Sequence, residues 1–274
     1  MKKFVAGILL SVSAITLAAC GGGEESSTGG DSKELLVGAS NVPHAEILEK
    51  AKPLLEEQGI ELVIETYQDY VLPNKDLESG DLDANYFQHV PYLTSQIADH
   101  GYDFVNAGGI HIEPIGVYSK KYKSLDELPD GGTILISNSV ADHGRILSML
   151  EAEGLLTLAE GIDKTKAEVK DIVENPKNLQ FEAEYEAALL VQMYQNEEGD
   201  AVLINSNYAI DAGINPLEDS IAIEKSESPY VNIIAVQAGN ENNEEIKALV
   251  KVLKSKEIQD FILEEWGGSV VPVK

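Results

Sequence analysis

Asp83-Ala84-Asn85-Tyr86-Phe87-Gln88-His89-Val90-Pro91-Tyr92 interleaves aromatic rings with side-chain amides, and a second stretch of similar character, Asp69-Tyr70-Val71-Leu72-Pro73-Asn74, lies just upstream. Pro91 and the polar mixture predict a loop that runs into a helix over residues 83–97. Taken alone, Tyr70, Phe87, His89 and Tyr92 suit ordinary core packing as well as they suit the wall of a ligand pocket. Their surroundings decide between the two.

Outward from these stretches the chain alternates between strand-like and helix-like patterns. Residues 34–39 form a short apolar run fit for a buried strand, and Ile47, Leu48, Ala51, Leu54 and Leu55 then place an apolar stripe on one helix face. Pro43 suits the first turn of that helix, Pro53 in its interior is expected to kink or shorten it, and Gly59 closes it. Residues 60–65 read as a second strand, and 104–110 and 111–118 as extended segments. Beyond the turn cluster Asp126-Glu127-Leu128-Pro129-Asp130-Gly131-Gly132, strands are predicted at 133–137, 179–183, 201–205, 221–224 and 231–237. Helices are predicted at 145–153, 185–194, around Tyr208, at 244–253 and at 257–266. This alternation implies an α/β fold in which helices cover mainly parallel sheets. No internal repeat or interior low-complexity segment interrupts it.

The N-terminus addresses the compartment. Lys2 and Lys3, an apolar run over residues 4–17 and then Leu17-Ala18-Ala19-Cys20 read as an export signal, residues 1–19, cut before a cysteine that becomes acylated. The apolar run is shorter than the roughly 20 residues a spanning helix needs. Gly21-Gly22-Gly23-Glu24-Glu25-Ser26-Ser27-Thr28-Gly29-Gly30 cannot build a core, so residues 20–32 read as a flexible tether. Cys20 is the only cysteine, which excludes an intramolecular disulfide and a thiolate metal cluster. The formal charge is −27, and cleavage after residue 19 removes two lysines and no acid, leaving −29. So acidic a chain lacks the basic patches that nucleic acid requires. Charge does not hold it to anionic lipid either, so contact with the membrane is expected through the lipid anchor only. The body from Lys33 onward, about 240 residues, suffices for two α/β lobes.

Further blocks follow in order: Gly108-Gly109-Ile110-His111-Ile112-Glu113-Pro114-Ile115-Gly116, then Ile172-Val173-Glu174-Asn175-Pro176-Lys177-Asn178-Leu179. Leu203-Ile204-Asn205-Ser206-Asn207-Tyr208-Ala209 and Glu227-Ser228-Pro229-Tyr230-Val231-Asn232 complete the set. Together with residues 33–47 and the two opening stretches, they resemble the methionine-binding lipoproteins of bacterial ABC importers. The resemblance implies a two-lobed, type II periplasmic-binding-protein-like fold with the ligand in the interlobe cleft. The crossing strands should then fall near residues 115–118 and 229–233, with lobe 1 at 33–116 plus 231–274 and lobe 2 at 117–230. It also implies a lipid-anchored protein outside the cytoplasm that delivers methionine or a close relative to permease and ATPase subunits. No cofactor and no metal belong to that reading.

An amino acid needs a cation for its carboxylate, acceptors for its ammonium and an apolar pocket for its side chain. Arg145 offers a planar fork suited to a carboxylate, and the resemblance aligns it with the family's carboxylate-binding arginine. The resemblance likewise makes Tyr70, Phe87, His89 and Tyr92 an aromatic wall, and makes Asn205 and Asn232 the asparagines that bond the ligand's backbone-like groups. Two departures stand out. Asp142, within Ser137-Asn138-Ser139-Val140-Ala141-Asp142-His143-Gly144-Arg145, replaces an asparagine usual in relatives. It can neutralise Arg145 or hold the ligand's ammonium. The other is Glu184-Tyr185-Glu186-Ala187-Ala188-Leu189-Leu190, where relatives show a short Leu-Pro-Arg element. Another amino acid or a methionine-containing dipeptide therefore stays open. An enzyme is the competing class. His111-Ile112-Glu113 and His44-Ala45-Glu46 hold metal-capable residues without the paired histidines of a helical zinc site. The chain also lacks a Pro-Cys-x-x-Cys and a Gly-x-Ser-x-Gly elbow.

Overall fold

The computed structural model describes residues 33–225 and 228–273; the expected export signal, Cys20 and the tether lie outside the described residues. β1 (Lys33–Ser40), α1 (Glu46–Glu56), β2 (Ile60–Tyr67), α2 (Leu72–Ser79), β3 (Ala84–His89), α3 (Val90–His100) and β4 (Phe104–Ile112) come first. β5 (Gly116–Tyr118), β6 (Thr133–Ser137), α4 (Val140–Ala152), β7 (Thr157–Leu158), β8 (Ile172–Glu174) and β9 (Gln180–Tyr185) follow. Next are α5 (Leu190–Gln195), β10 (Ala201–Ile204), α6 (Ser206–Asp211) and β11 (Ala222–Ile223). β12 (Val231–Gln237), α7 (Glu244–Leu253), α8 (Lys256–Trp266) and β13 (Val271–Pro272) end the described chain.

One sheet runs β13-β4-β12-β3-β1-β2 and the other β11-β5-β10-β6-β9, with β7 and β8 as a separate pair. The chain leaves the first sheet between Ile112 and Gly116 and returns to it between Ile223 and Val231. Each sheet has its own apolar core. Val37, Ile47, Leu62, Ile234 and Leu249 belong to the first, and Val117, Ile136, Ile146, Leu147 and Leu203 to the second.

The sheets are mixed rather than mainly parallel. β1 pairs in parallel with β2 and β3, as helix-linked strands do. β12 enters from the other lobe and runs antiparallel to β3 and β4, and β5 does the same against β10 and β11. A strand that arrives by a crossing has no connecting helix to enforce a parallel sense.

Within residues 83–97 the expected helix is α3, but the loop expected ahead of it is instead strand β3. β3 lies between β1 and β12, and all of its residues are buried. With both faces covered, the strand loses the two-residue alternation that marks a half-exposed one. Its amides would be costly there unless paired. Asn85 Nδ2 donates to Asn74 Oδ1 at 2.9 Å, and Gln88 Nε2 donates to Asn74 Oδ1 and Asn85 Oδ1, each at 2.8 Å. Asn74 comes from α2, whose start is set by Asp69: its Oδ1 accepts from the N–H groups of Val71 and Leu72 at 2.7 and 2.8 Å. The two opening stretches of sequence are therefore bonded to one another.

Elsewhere α1 buries Ile47, Leu48, Ala51 and Leu55 of the expected stripe, leaves Leu54 half-buried, keeps Pro53 and ends at Glu56. Pro43 lies in the turn ahead of α1, after a cis peptide bond, rather than in the helix. Residues 187–189 form a short 3-10 turn, so α5 starts only at Leu190. α4 begins at Val140, ahead of the expected residue 145. Gly144 argues against a helix by propensity, yet packing requires it. A Cβ at residue 144 would stand 2.4 Å from the Lys164 carbonyl oxygen and 2.7 Å from the Thr165 backbone.

Gly144→Ala tests this. Alanine favours the helix by about 1 kcal/mol, but overpacking against backbone that cannot yield costs about 1–3 kcal/mol. The variant is expected to be less stable despite its better propensity, seen as a lower urea midpoint at unchanged slope.

Candidate functional site

The site forms where the first sheet's strand ends meet α4 and α6. β3 delivers Phe87 and His89, and the α2 turn delivers Tyr70. Tyr70, Phe87 and Tyr92 stand with ring centroids about 6 Å apart: 5.9 Å for Tyr70–Phe87, 6.1 Å for Tyr70–Tyr92 and 6.0 Å for Phe87–Tyr92. The Tyr92 hydroxyl donates to the Tyr70 carbonyl at 2.9 Å, which fixes two of these rings relative to one another. His89 also starts α3: its Nδ1 accepts the Tyr92 N–H at 3.1 Å. The proton of that ring is thus on Nε2, which donates to Asp142 Oδ1 across the cleft at 3.1 Å.

Arg145 is buried on α4. Its Nε donates to Glu224 Oε2 at 3.0 Å, and its Nη2 donates to the same oxygen and to the Glu113 carbonyl at 2.7 Å. Nη1 stands 3.5 Å from Asp142 Oδ1, and the guanidinium lies 4.7 Å over the Tyr230 ring. Burial alone would lower the Arg145 pKa, but Glu224 and Asp142 outweigh it and push it up. Asp142 accepts from Asn205 Nδ2 at 3.4 Å on its other oxygen. Burial would raise the Asp142 pKa; His89, Arg145 and Asn205 reverse that and hold it well below the usual carboxylate range.

Beneath this layer is a buried polar chain. The Tyr86 hydroxyl bonds His111 Nδ1, and His111 Nε2 stands 2.6 Å from Glu113 Oε1. His44 Nε2 lies 3.2 Å from the same oxygen and 3.3 Å from Asn232 Oδ1. Desolvation lowers the His44 pKa to about 4, against the opposing pull of Glu113. Burial would raise the Glu113 pKa, but His44, His111 and Arg145 together outweigh it and lower it. The metal-capable pairs noted in the sequence thus converge. One donor atom each from His44, His111 and Glu113 lies within 4.8 Å of the others, a set that could hold a small cation.

All eight sequence-derived pocket residues line one cavity: Tyr70, Phe87, His89, Tyr92, Asp142, Arg145, Asn205 and Asn232. Gln88, Glu113, Ser206 and Asn207 join them. The free volume is only about 20 Å³, and an outer cavity of about 300 Å³ lies on the other side of Tyr70 and Tyr92. Tyr70 closes the wall by donating to Asn207 Oδ1 at 2.6 Å, and its ring lies 5.0 Å from that of Tyr208. The Glu184–Leu190 departure reaches the outer cavity through Glu186, Ala187 and Ala188.

The profile of the NlpA lipoproteins matches residues 35–274. The chain belongs to that family. It is 49% identical over 275 residues to the methionine-binding lipoprotein MetQ of Bacillus subtilis, covering 100% of this chain and 99% of the relative. A nutrient-binding protein from Burkholderia cenocepacia, solved bound to methionine, is 41% identical with a TM-score of 0.82, over 88% of this chain and all of that one. An ABC transporter periplasmic substrate-binding protein from Coxiella burnetii is 35% identical with a TM-score of 0.81, over 87% of this chain and all of that one.

Within this family frame, Glu224 is the partner that sequence reading missed. It is the last residue of the strand predicted at 221–224, with no motif around it, and only the fold brings it to Arg145. Glu113, Asn207 and Tyr230 were inside quoted blocks, so their positions carried a signal although their roles did not.

The low pKa of Asp142 has a pH consequence. An unfolded aspartate titrates near about 3.9, so a lowered folded value contributes stability above that pH and loses it as pH falls further. The stability gap between the wild type and Asp142→Asn is expected to be wider at about pH 7 than at about pH 3. Urea midpoints for both proteins at the two pH values check this, and an equal gap would refute it.

Proposed function

We propose that this chain is the lipid-anchored, extracytoplasmic substrate-binding protein of an ABC importer, and that its ligand is methionine. The observation that carries this reading is the convergence of an aromatic wall and a buried arginine on one interlobe pocket, in a chain so similar to a methionine-binding lipoprotein. Tyr70, Phe87, His89 and Tyr92 would take the thioether, whose sulfur–aromatic contacts contribute about 0.3–1.5 kcal/mol each. Asn205 and Asn232 would bond the ligand's polar end.

The role proposed for Arg145 differs from a simple two-pronged clamp. Glu224 occupies its Nε–Nη2 edge, so the ligand carboxylate would meet Nη1. The closed pocket has room for little more than a water, so binding requires the lobes to part and close again on the ligand. Permease and ATPase subunits would receive it. No step of bond chemistry is needed, and the named relatives are binding proteins rather than enzymes.

Two experiments test the proposal. Isothermal titration calorimetry should show methionine binding at least about a hundredfold tighter than glutamate or lysine, because an unpaired buried charge costs several kcal/mol. Heat from glutamate or lysine with none from methionine would reassign the ligand. Tighter binding of a methionine-containing dipeptide would extend the site into the outer cavity.

Anchoring is tested separately. Cys20→Ser should move the protein from the membrane fraction to the soluble extracytoplasmic fraction. Unchanged membrane association of that variant would refute acylation at Cys20.

A further inference from the structure

We propose that Tyr70 determines how long a ligand side chain the site accepts: its ring, pinned across the cleft by Asn207, closes the pocket against an outer cavity that would otherwise take longer thioether chains. This inference rests on the methionine ligand proposed above.

The pocket and the outer cavity share two walls, Tyr70 and Tyr92. The free volume is about 20 Å³ on the pocket side and about 300 Å³ beyond the rings, so space for a larger ligand exists on the far side of a partition. Both lobes line that space, with Ser95 and Gln96 of α3 on one side and Val140, Ala187 and Ala188 on the other. A thioether seated against Tyr70 and Tyr92 would lengthen toward these two rings.

Of the two, Tyr70 is the one that joins the lobes. Tyr92 is tied within the first lobe, its N–H to His89 Nδ1 and its hydroxyl to the Tyr70 carbonyl. Tyr70 instead donates its hydroxyl to Asn207 Oδ1 at 2.6 Å, and its ring lies 5.0 Å from that of Tyr208. Asn207 and Tyr208 both belong to α6, which follows β10 of the second sheet. Phe87 stands 5.9 Å behind the Tyr70 ring and limits its retreat. A chain long enough to push that ring aside would break the bond to Asn207, a buried residue, and leave its amide oxygen short of a donor. Asn207 is thus a positioning residue, and the Tyr70 ring makes the contact.

The ring can be removed without dismantling its neighbours. Tyr92 bonds the backbone carbonyl of Tyr70, and Asp69 starts α2 through the N–H groups of Val71 and Leu72. Asp69, Asp99 and Glu186 line the outer cavity with no lysine or arginine beside them among its described lining residues. An uncharged alkyl extension is therefore the probe whose fit reports space rather than charge.

The test is calorimetry with methionine, ethionine and S-butylhomocysteine. An extra methylene in a fitted apolar pocket changes affinity by about tenfold or more, so ethionine should bind the wild type about tenfold weaker than methionine and S-butylhomocysteine at least about a hundredfold weaker. Tyr70→Ala should reverse the order, binding S-butylhomocysteine more tightly than methionine. Tyr70→Phe keeps the ring and should keep the wild-type order. Ala188→Phe, which fills the outer cavity, should leave methionine binding to the wild type unchanged and should cancel the gain for S-butylhomocysteine in the Tyr70→Ala background. Circular dichroism confirms that each variant is folded, and a reversed order is a readout that loss of packing alone would not produce.

A wild type that binds methionine, with the same order of preference in Tyr70→Ala, would overturn this inference alone. So would a gain for S-butylhomocysteine that survives Ala188→Phe, because the longer chain would then lie elsewhere. A wild type that binds none of the three would overturn the ligand reading and this inference together.

Discussion

Arg145 is a cation taken out of water, and an unpaired buried charge costs several kcal/mol even after the protein relaxes around it, so both lobes must fold in a way that brings carboxylates to it. Glu224 comes from the segment after β11, Asp142 from the preceding turn of α4, and the Glu113 carbonyl from the segment after β4. Removing one of these partners would leave charge that the others are not placed to absorb. The local geometry of α4, including the glycine beside Arg145 that lets the helix lie against residues 164–165, serves the same placement.

On the other side of the cleft, order comes from neutral groups. Asn74, Asn85 and Gln88 satisfy one another's amides inside the first lobe, joining the turn that bears Tyr70 to the strand that bears Phe87. His89 does two things with one ring, since its Nδ1 begins a helix and its Nε2 reaches Asp142. The rings of the wall are therefore set by backbone and amide bonds as much as by contact with each other. That is a more exact placement than apolar packing alone would give.

Much of this was legible in the sequence. Periodicity located β6, β12 and α7 at their observed bounds, because each is either a plain apolar run or a strongly one-sided helix. It failed at β3, where polar residues hide inside a satisfied network and both faces are covered. It failed at the start of α4, where Gly144 is present for packing rather than for flexibility. α2 was missed because Asp69 and Pro73 signal a turn as readily as a helix start. The pocket residues came from the resemblance, and their convergence on one cavity follows from the fold. Glu224 was invisible because its partner is distant in the chain and no local pattern links the two.

The chain passes between the two sheets at residues 113–115 and again from Glu224 toward β12, so a cleft that opens would turn about these passages. Arg145 is bonded to both, through the Glu113 carbonyl and the Glu224 carboxylate, and the Ile115 N–H joins one passage to the other through that same carboxylate. In mechanical terms the guanidinium is a pivot pin. A point on an axle hardly travels when the arms swing, whereas Tyr70 and Tyr92, out toward the rim, sweep the longest arc. The Arg145–Glu224 pair would stay assembled through each cycle of opening, whereas the bonds that span the cleft, His89 to Asp142 and Tyr70 to Asn207, would be taken apart and rebuilt.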